Sequence, residues 1–331
     1  MDSEGQLVER TGRAIPSHGG GALHMGIGDD AALIAPGGRT DWVLTCDQFL
    51  EGVHFVADLH PADSVGYKAL VRATSDIAAM GATPRFFLLA LALPSARTGA
   101  WFHAFLRGMG RASRQMGLRL TGGDTTKSSK ISISVTVVGE IARGRAITRA
   151  GARPGDIIYV SGRLGRAQLG LELIRNNLKR LPRLRQLLRP HLYPRIRLEL
   201  GAWVARHRVP SAMMDISDGL STDLARLCRA SDAGARIWAS RLPCVTIPLS
   251  VARRIQRWHL DPLQMALHGG DDYELLFTIP PHKVNRLRRA PGFRELTPIG
   301  EITRKKQILL VGKGGAAKPL KPGGWDPFQH T

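Results

Sequence analysis

Apolar positions along the first half of the chain alternate between a helical period and a strand period. Between Pro61 and Met80, Val65, Leu70, Ala73, Ile77 and Met80 recur at helical spacing, and Gly81 supplies a stop. Trp101, Phe105, Met109, Ala112 and Met116 form a second helical stripe, closed by Gly117. Trp42 to Thr45 reads as a short buried strand ending at Asp47, and Phe86 to Leu93 as another. Ile131, Ile133, Val135 and Val137 alternate as in a half-buried strand. The stretch from Arg149 to Asp156 reads as a linker or turn. After it come a strand at Ile157–Val160, helical stretches near 165–176, 195–206 and 219–230, and strands near 211–214, 235–239, 273–278 and 308–311. This alternation predicts an α/β (α+β) protein of two domains, 1–148 and 149–331, and the length of 331 residues fits about two domains.

Composition narrows the function classes. Hydrophobic residues make up 43% and charged residues 22%, as in an ordinary globular protein. The first residues lack the basic start and apolar core of a signal peptide, and the longest apolar run, Phe86 to Pro94, is too short to span a bilayer. Cys46, Cys228 and Cys244 are odd in number and widely spaced, which argues against a disulfide framework and a zinc knuckle. The expectation is a cytoplasmic protein with no membrane association. There are 47 Lys+Arg against 27 Asp+Glu, a formal charge of +20, which points to anionic partners. Ten basic residues and one acid lie between Arg175 and Arg208, and a second basic region runs from Lys283 to Lys306. Aromatic stacking residues are sparse there, so solvated arginine-rich helices are a better reading than a specific nucleic-acid surface.

The scarce acids are more informative. Many fall in short clusters beside Gly or Ser: Asp29-Asp30, Asp47, Asp76, Asp124, Asp215 with Asp218, and Asp271-Asp272. Most sit where a strand pattern ends or a helix begins, the place where α/β folds open their clefts. One such residue alone reads as an N-cap or a turn; six clusters together suggest a site. Asp76 lies three residues after Ala73 and four before Met80, on the apolar face of its helix, where a carboxylate needs a partner or a metal. Oxygen ligands with few histidines nearby suit Mg²⁺, which keeps its remaining positions for water and phosphate. Carboxylates that hold metal, metal that holds phosphate and basic residues that cover the remaining charge reconcile the acids with the net charge. His54 follows Asp47 closely and reads equally as a structural histidine or as a phosphate contact.

Gly26-Ile-Gly-Asp-Asp-Ala31 matches a dinucleotide fingerprint, but its two aspartates would repel a pyrophosphate and no clear strand precedes it. Neither a P-loop, a protein-kinase motif set nor a G-x-S-x-G nucleophile motif occurs.

Taken in order, Gly-Ile-Gly-Asp-Asp-Ala (26–31), Asp47 with Glu-Gly-Val-His-Phe (51–55), Tyr-Lys-Ala-Leu (67–70), Ser-Asp-Ile-Ala-Ala-Met-Gly-Ala (75–82), Gly-Gly-Asp-Thr-Thr (122–126), Ile-Thr-Arg-Ala-Gly-Ala (147–152), Asp-Ile-Ser-Asp-Gly-Leu (215–220) and Gly-Gly-Asp-Asp-Tyr-Glu-Leu (269–275) make the chain resemble the thiamine-monophosphate kinases, within the aminoimidazole-ribonucleotide synthetase-like superfamily. The resemblance spans about residue 5 to Phe328. It implies ATP-dependent phosphorylation of thiamine phosphate to thiamine diphosphate, the last step of that cofactor's biosynthesis. It also implies several Mg²⁺ ions and a homodimer paired through its N-terminal sheets, with the nucleotide in a cleft between domains. Asp30, Thr45, Cys46, Asp47, Asp76, Asp124, Asp215 and Asp218 stand at its metal positions. Asp30, Gly123, Asp124, Arg149 and Ser217 stand at its ATP positions. His54, Asp271 and Trp325 stand at its thiamine-phosphate positions. Trp325 would stack on the thiamine ring; without the resemblance it reads as well as a packed surface aromatic. The acceptor is an ionised phosphate oxygen, so direct in-line transfer of the γ-phosphoryl group needs no general base and no phosphoenzyme.

Two residues depart from the family pattern. Cys46 stands where Thr is usual, which matters little if the main-chain carbonyl is the ligand and weakens one metal site if the hydroxyl is. Asp271 stands where Glu is usual, so its contact with substrate runs through water or shifts to Asp272. Among related activities, a selenophosphate synthetase calls for a Cys before residue 46 and a hydrogenase-maturation protein for a C-terminal Cys. Neither is present, which leaves an aminoimidazole-ribonucleotide synthetase-like enzyme as the competing activity and a basic nucleic-acid-binding protein as a more distant one.

Overall fold

The computed structural model describes residues 3–14, 22–176, 184–248, 251–252 and 260–328. The Gly19-Gly20-Gly21 run, residues 177–183 of the first basic stretch and the terminal 329–331 lie outside the described residues. The chain forms two compact units, Met1–Ala146 with Asp326–Thr331, and Ile147–Trp325.

The first unit holds helices α1 (Glu4–Ala14), α2 (Ala62–Ala79) and α3 (Ala100–Met116). Its strands are β1 (Leu23–Met25), β2 (Ala32–Ile34), β3 (Thr40–Leu50), β4 (Thr83–Leu93), β5 (Arg119–Lys127) and β6 (Ser132–Ala142), in the sheet order β1-β2-β3-β6-β4-β5. Only the β4/β5 pair is parallel. Strand periodicity decides which residues see α2. Val43, Thr45 and Phe49 of β3 and Ile133, Val135 and Val137 of β6 turn inward and are buried. In α2, Leu70, Ala73 and Ile77 are fully buried, each large side chain contributing roughly 1.5–3 kcal/mol. Helices α2 and α3 touch at two glycines. A Cβ on Gly66 would lie 2.1 Å from the Phe105 carbonyl oxygen, and one on Gly108 would lie 1.7 Å from that of Asp63.

The opposite face of this sheet stays open. Trp42, Phe86 and Leu88 keep 43% to 47% of their surface exposed, and every residue of β5 is exposed. Two sequence expectations change here. The strand begun at Trp42 runs on to Leu50, with Trp42 itself exposed on the outer face. Gly122-Gly123-Asp124, expected at the end of an element, lies in mid-strand because β5 pairs in parallel with β4. Gly123 permits that pairing: a Cβ there would lie 1.8 Å from the Leu89 carbonyl oxygen.

In the second unit β7 (Ile157–Val160), β8 (Ala212–Ile216), β9 (Gly234–Trp238), β10 (Glu274–Ile279), β11 (Thr297–Thr303), β12 (Ile308–Val311) and β13 (Ala317–Pro319) form a sheet of order β13-β12-β9-β11-β7-β10-β8. All pairs are antiparallel except β9/β12. Its helices are α4 (Arg166–Arg175), α5 (Arg185–Leu192), α6 (Leu198–Arg206), α7 (Leu220–Ala230) and α8 (Pro262–His268). Ile158, Val160, Met214, Leu224, Leu227, Ile237 and Leu276 form its core. Among the described residues no helix is long and apolar enough to cross a membrane.

Candidate active site

In the first unit, one face of α2 lies along one face of β3. Four helical residues rise roughly 6 Å and two strand residues roughly 6.6 Å, so every fourth helix position can meet every second strand position. The chain uses that match three times. Asp76 Oδ2 accepts a hydrogen bond from Thr45 Oγ1 at 2.5 Å. Arg72 Nε donates to Asp47 Oδ2 at 2.9 Å, and its guanidinium stands 5.4 Å from the Phe49 ring centre. The Lys68 ammonium stands 6.0 Å from the same ring. Lys68 is buried, and Asp47 and Asp76 are half-buried. Asp30, also buried, brings a carboxylate oxygen within 4.8 Å of one from Asp76. Asp30, Thr45, Asp47 and Asp76 thus offer only hard oxygen donors on this corner of the sheet, a set that fits Mg²⁺.

His54 closes the row. After β3 the chain makes a tight turn in which Gly52 N–H donates to the Phe55 carbonyl at 2.7 Å and His54 N–H to the Leu50 carbonyl at 2.9 Å. The Leu50 N–H donates to His54 Nδ1 at 3.0 Å, which puts the proton of the neutral ring on Nε2. The imidazole lies 5.7 Å from the Phe49 ring.

Cys46 and Asp124 lie elsewhere. Cys46 falls between Thr45 and Asp47, so its side chain turns to the outer sheet face, where Thr136 Oγ1 donates to Sγ at 3.3 Å. Asp124 stands in register with Ala90 on the exposed edge strand, and its Oδ1 accepts from Thr125 N–H at 2.9 Å. Strand β5 is three strands from β3, roughly 14 Å at ~4.8 Å per strand.

In the second unit Asp215, Ser217, Asp218, Asp271 and Trp325 gather where β8 ends, whereas Arg149 lies by Ser231 just past the far end of α7. Asp215 is buried in β8, and Asp218 follows two residues after the strand. Asp223 lies fully buried beneath them. It accepts from the N–H groups of Asp218 and Gly219, both at 3.1 Å, and from Arg226 Nη1 at 2.9 Å. Burial, then the Asp218 and Asp215 charges, push its pKa well up against the opposing pull of Arg226. The same Arg226 nitrogen donates to Asp218 Oδ2 at 2.5 Å. Around this turn the main chains press together. Asp271 N–H donates to the Ser217 carbonyl at 2.7 Å, and Trp325 N–H to that of Asp218 at 2.9 Å. A Cβ on Gly324 would lie 2.0 Å from the Asp218 carbonyl oxygen. Ser217, Asp218, Asp271 and Trp325 are therefore neighbours through their backbones. The Arg149 carbonyl accepts from Ser231 Oγ at 2.9 Å.

Asp271 and Tyr273 both adopt left-handed backbone, φ 67 and φ 51, conformations that cost roughly 1–3 kcal/mol each outside glycine. Tyr273 Oη donates to Asp271 Oδ1 at 2.7 Å, and His191 Nδ1 lies 3.8 Å from Oδ2. Asp272 is not a substitute for Asp271. Its carboxylate caps α4, accepting from Gly165 N–H at 2.5 Å and Ala167 N–H at 3.1 Å. Glu274 is likewise committed to the fold, gripped by Arg197 at 2.6 and 3.0 Å and by Ser161 Oγ at 2.6 Å.

The sequence reading passed over Lys68 and Arg72. Their signal was a 68, 72, 76 spacing that puts two cations and a carboxylate on one face of an otherwise apolar helix.

Residues 28–141 match the family model for the N-terminal domain of AIR synthase related proteins, and 153–312 match that for the C-terminal domain. Over 313 residues, covering 92% of both chains, the sequence is 36% identical to the thiamine-monophosphate kinase of Escherichia coli strain K12. The corresponding enzyme of Salmonella typhimurium is 38% identical over the same length. The chain belongs to the thiamine-monophosphate kinase family. Among solved structures, AaThiL complexed with AMPPCP and TMP superposes with a TM-score of 0.84 and 31% identity, over 98% of this chain and 96% of that one. In this thiamine-monophosphate kinase family member the two-sheet fold and the oxygen-rich α2/β3 corner thus accompany full-length similarity.

Proposed function

We propose that this protein transfers the γ-phosphoryl group of ATP to thiamine phosphate, giving thiamine diphosphate. Family membership over nearly the whole chain supports this reading, together with the similarity to AaThiL complexed with AMPPCP, an ATP analogue, and TMP, thiamine phosphate. Within the chain, the observation that carries it is the row of oxygen donors on β3 and α2. Asp30, Thr45, Asp47 and Asp76 in the first unit and Asp215 and Asp218 in the second are assigned to Mg²⁺, which supplies charge neutralisation between the two phosphorylated substrates. Cys46 takes part through its main chain, its thiol being turned to the other face. Asp30, Gly123, Asp124, Arg149 and Ser217 are assigned to ATP.

His54, Asp271 and Trp325 are assigned to thiamine phosphate. Nε2–H of His54 is a donor suited to a phosphate oxygen, and the Trp325 indole offers a π-face to a cationic thiazolium. Tyr273 holds Asp271 directly, which suits a carboxylate that must stay in place despite being a methylene shorter than Glu. The acceptor oxygen is already ionised, so the residues act by aligning and neutralising anions, and transfer is direct and in line.

We further assign the exposed apolar sheet face bearing Trp42, Phe86 and Leu88 to pairing between two copies, and the protein to the cytoplasm. The deciding experiment incubates purified protein with Mg²⁺, ATP and thiamine phosphate and looks for thiamine diphosphate. Turnover of a different phosphorylated acceptor, with none of thiamine phosphate, would overturn the assignment.

A further inference from the structure

A carboxylate assigned to metal is already bonded to a cation. Asp47 Oδ2 accepts from Arg72 at 2.9 Å, with the two side chains 29% and 17% exposed. Arg72 is one turn after Lys68 and one turn before Asp76, and its guanidinium lies over Phe49. Two cations at i and i+4 on one helix face repel each other. Asp47 and the ring face offset part of that repulsion. A guanidinium on one carboxylate oxygen also weakens that carboxylate toward a second cation. In the second unit Arg226 stands in the same relation to Asp218.

We propose that Arg72 is the resident counter-cation of Asp47, displaced from it by a divalent ion, and that the displaced guanidinium then binds a phosphoryl oxygen. The phosphate half of this rests on the kinase reading above; the displacement half does not. Where no divalent ion sits on Asp47, Arg72 offsets the charge of that carboxylate. When a doubly charged ion takes that task, the arginine becomes surplus to the carboxylates and available to the anions that arrive with the ion. The planar guanidinium suits both roles, since it can stay stacked on Phe49 while its N–H groups change acceptor. Arg72 is thus a positioning residue for Asp47 in one state and a substrate contact in the other. The phosphate has two sources, ATP and thiamine phosphate, with the same chemistry.

The test measures Mn²⁺ binding to the full chain without substrates, reading free Mn²⁺ by electron paramagnetic resonance. Arg72→Gln removes the competing charge and is expected to bind Mn²⁺ about fivefold more tightly than the parent, while Arg72→Lys keeps the charge and stays within about twofold. A merely structural arginine gives the opposite sign, because a disordered corner binds metal less well. Unchanged or weaker Mn²⁺ binding by Arg72→Gln, with thermal unfolding unaltered, overturns the displacement. Should that variant not fold, tightening of about fivefold in Arg72→Lys overturns it instead. In steady-state assays, Arg72→Gln is expected to raise KM about tenfold for the substrate whose phosphate the arginine holds. A rise for ATP alone or for thiamine phosphate alone identifies the source, and no rise for either overturns the handover. A parent protein that makes no thiamine diphosphate removes the kinase reading and leaves the Mn²⁺ comparison intact.

Discussion

Asp271 and Asp272 are adjacent in one motif, yet their carboxylates meet different surroundings. Asp271 is half-buried and held by Tyr273, in a strained left-handed backbone. Asp272 is buried under the first turn of α4, and burial pushes its pKa up to about 7 despite two N–H donors that favour the charged form. The folded protein therefore holds a proton on Asp272 that the unfolded chain, with an ordinary aspartate near 3.8, has already released. Its contribution to stability falls as pH rises from about 4 through about 7 and is fully lost above that. Asp272→Asn is expected to flatten this part of the curve. The check is urea unfolding of both proteins at several pH values in that window. An identical slope in the variant would assign the titration to another group, such as the buried Asp223.

Elements position these residues through close contacts that leave little slack. Helix α2 carries Lys68, Arg72 and Asp76, and its depth over the sheet is set by Gly66 and Gly108 at the crossing with α3. Gly108→Ala places a methyl 1.7 Å from the Asp63 carbonyl oxygen if nothing moves, so α2 and α3 must separate. The expected result is a loss of roughly 1–3 kcal/mol from overpacking, read by chemical unfolding, together with weakened metal binding. Retained stability and activity would show that the crossing is not what fixes the α2 row. Legibility in the sequence follows the same line between local and distant. The α2 and α3 stripes and the β6 alternation were readable because their signals lie within a few residues of each other, whereas Asp47 and Asp124 lie within β3 and β5 and not at the ends of elements. Helix spacing also pointed to Asp76 as a carboxylate in need of a partner. The 68, 72, 76 spacing is present in the sequence, but the partners of Lys68 and Arg72 are set by β3, which comes alongside only in the fold. The mid-strand position of Asp124 was hidden for a similar reason: parallel pairing with β4 depends on residues about thirty positions away, and the glycines before it imitate a turn.

At the scale of the whole molecule, the first unit does not gather on one sheet face every residue assigned to metal and ATP. Asp47 faces α2, on the inner side of the sheet. Asp124 lies three strands away on an edge strand whose residues are all exposed, in register with Ala90, and Ala90 alternates onto the same outer face as Phe86 and Leu88. An exposed apolar patch of this kind is a common mark of association. If two copies pair through it and each active site takes Asp47 from one and Asp124 from the other, defects in the two residues can complement. Asp47→Asn and Asp124→Asn are each expected to abolish turnover alone. A dimer with one subunit of each kind would contain one site with both changes and one site with neither. Coexpression of the two variants, differently tagged and purified through both tags, is then expected to give a mixed species with about half the parental activity, one site in two being intact. If each site draws both residues from a single chain, every site in the mixed dimer carries one change and the preparation stays inactive. Recovery of activity in the doubly tagged species therefore distinguishes a site shared between copies from one built within a chain.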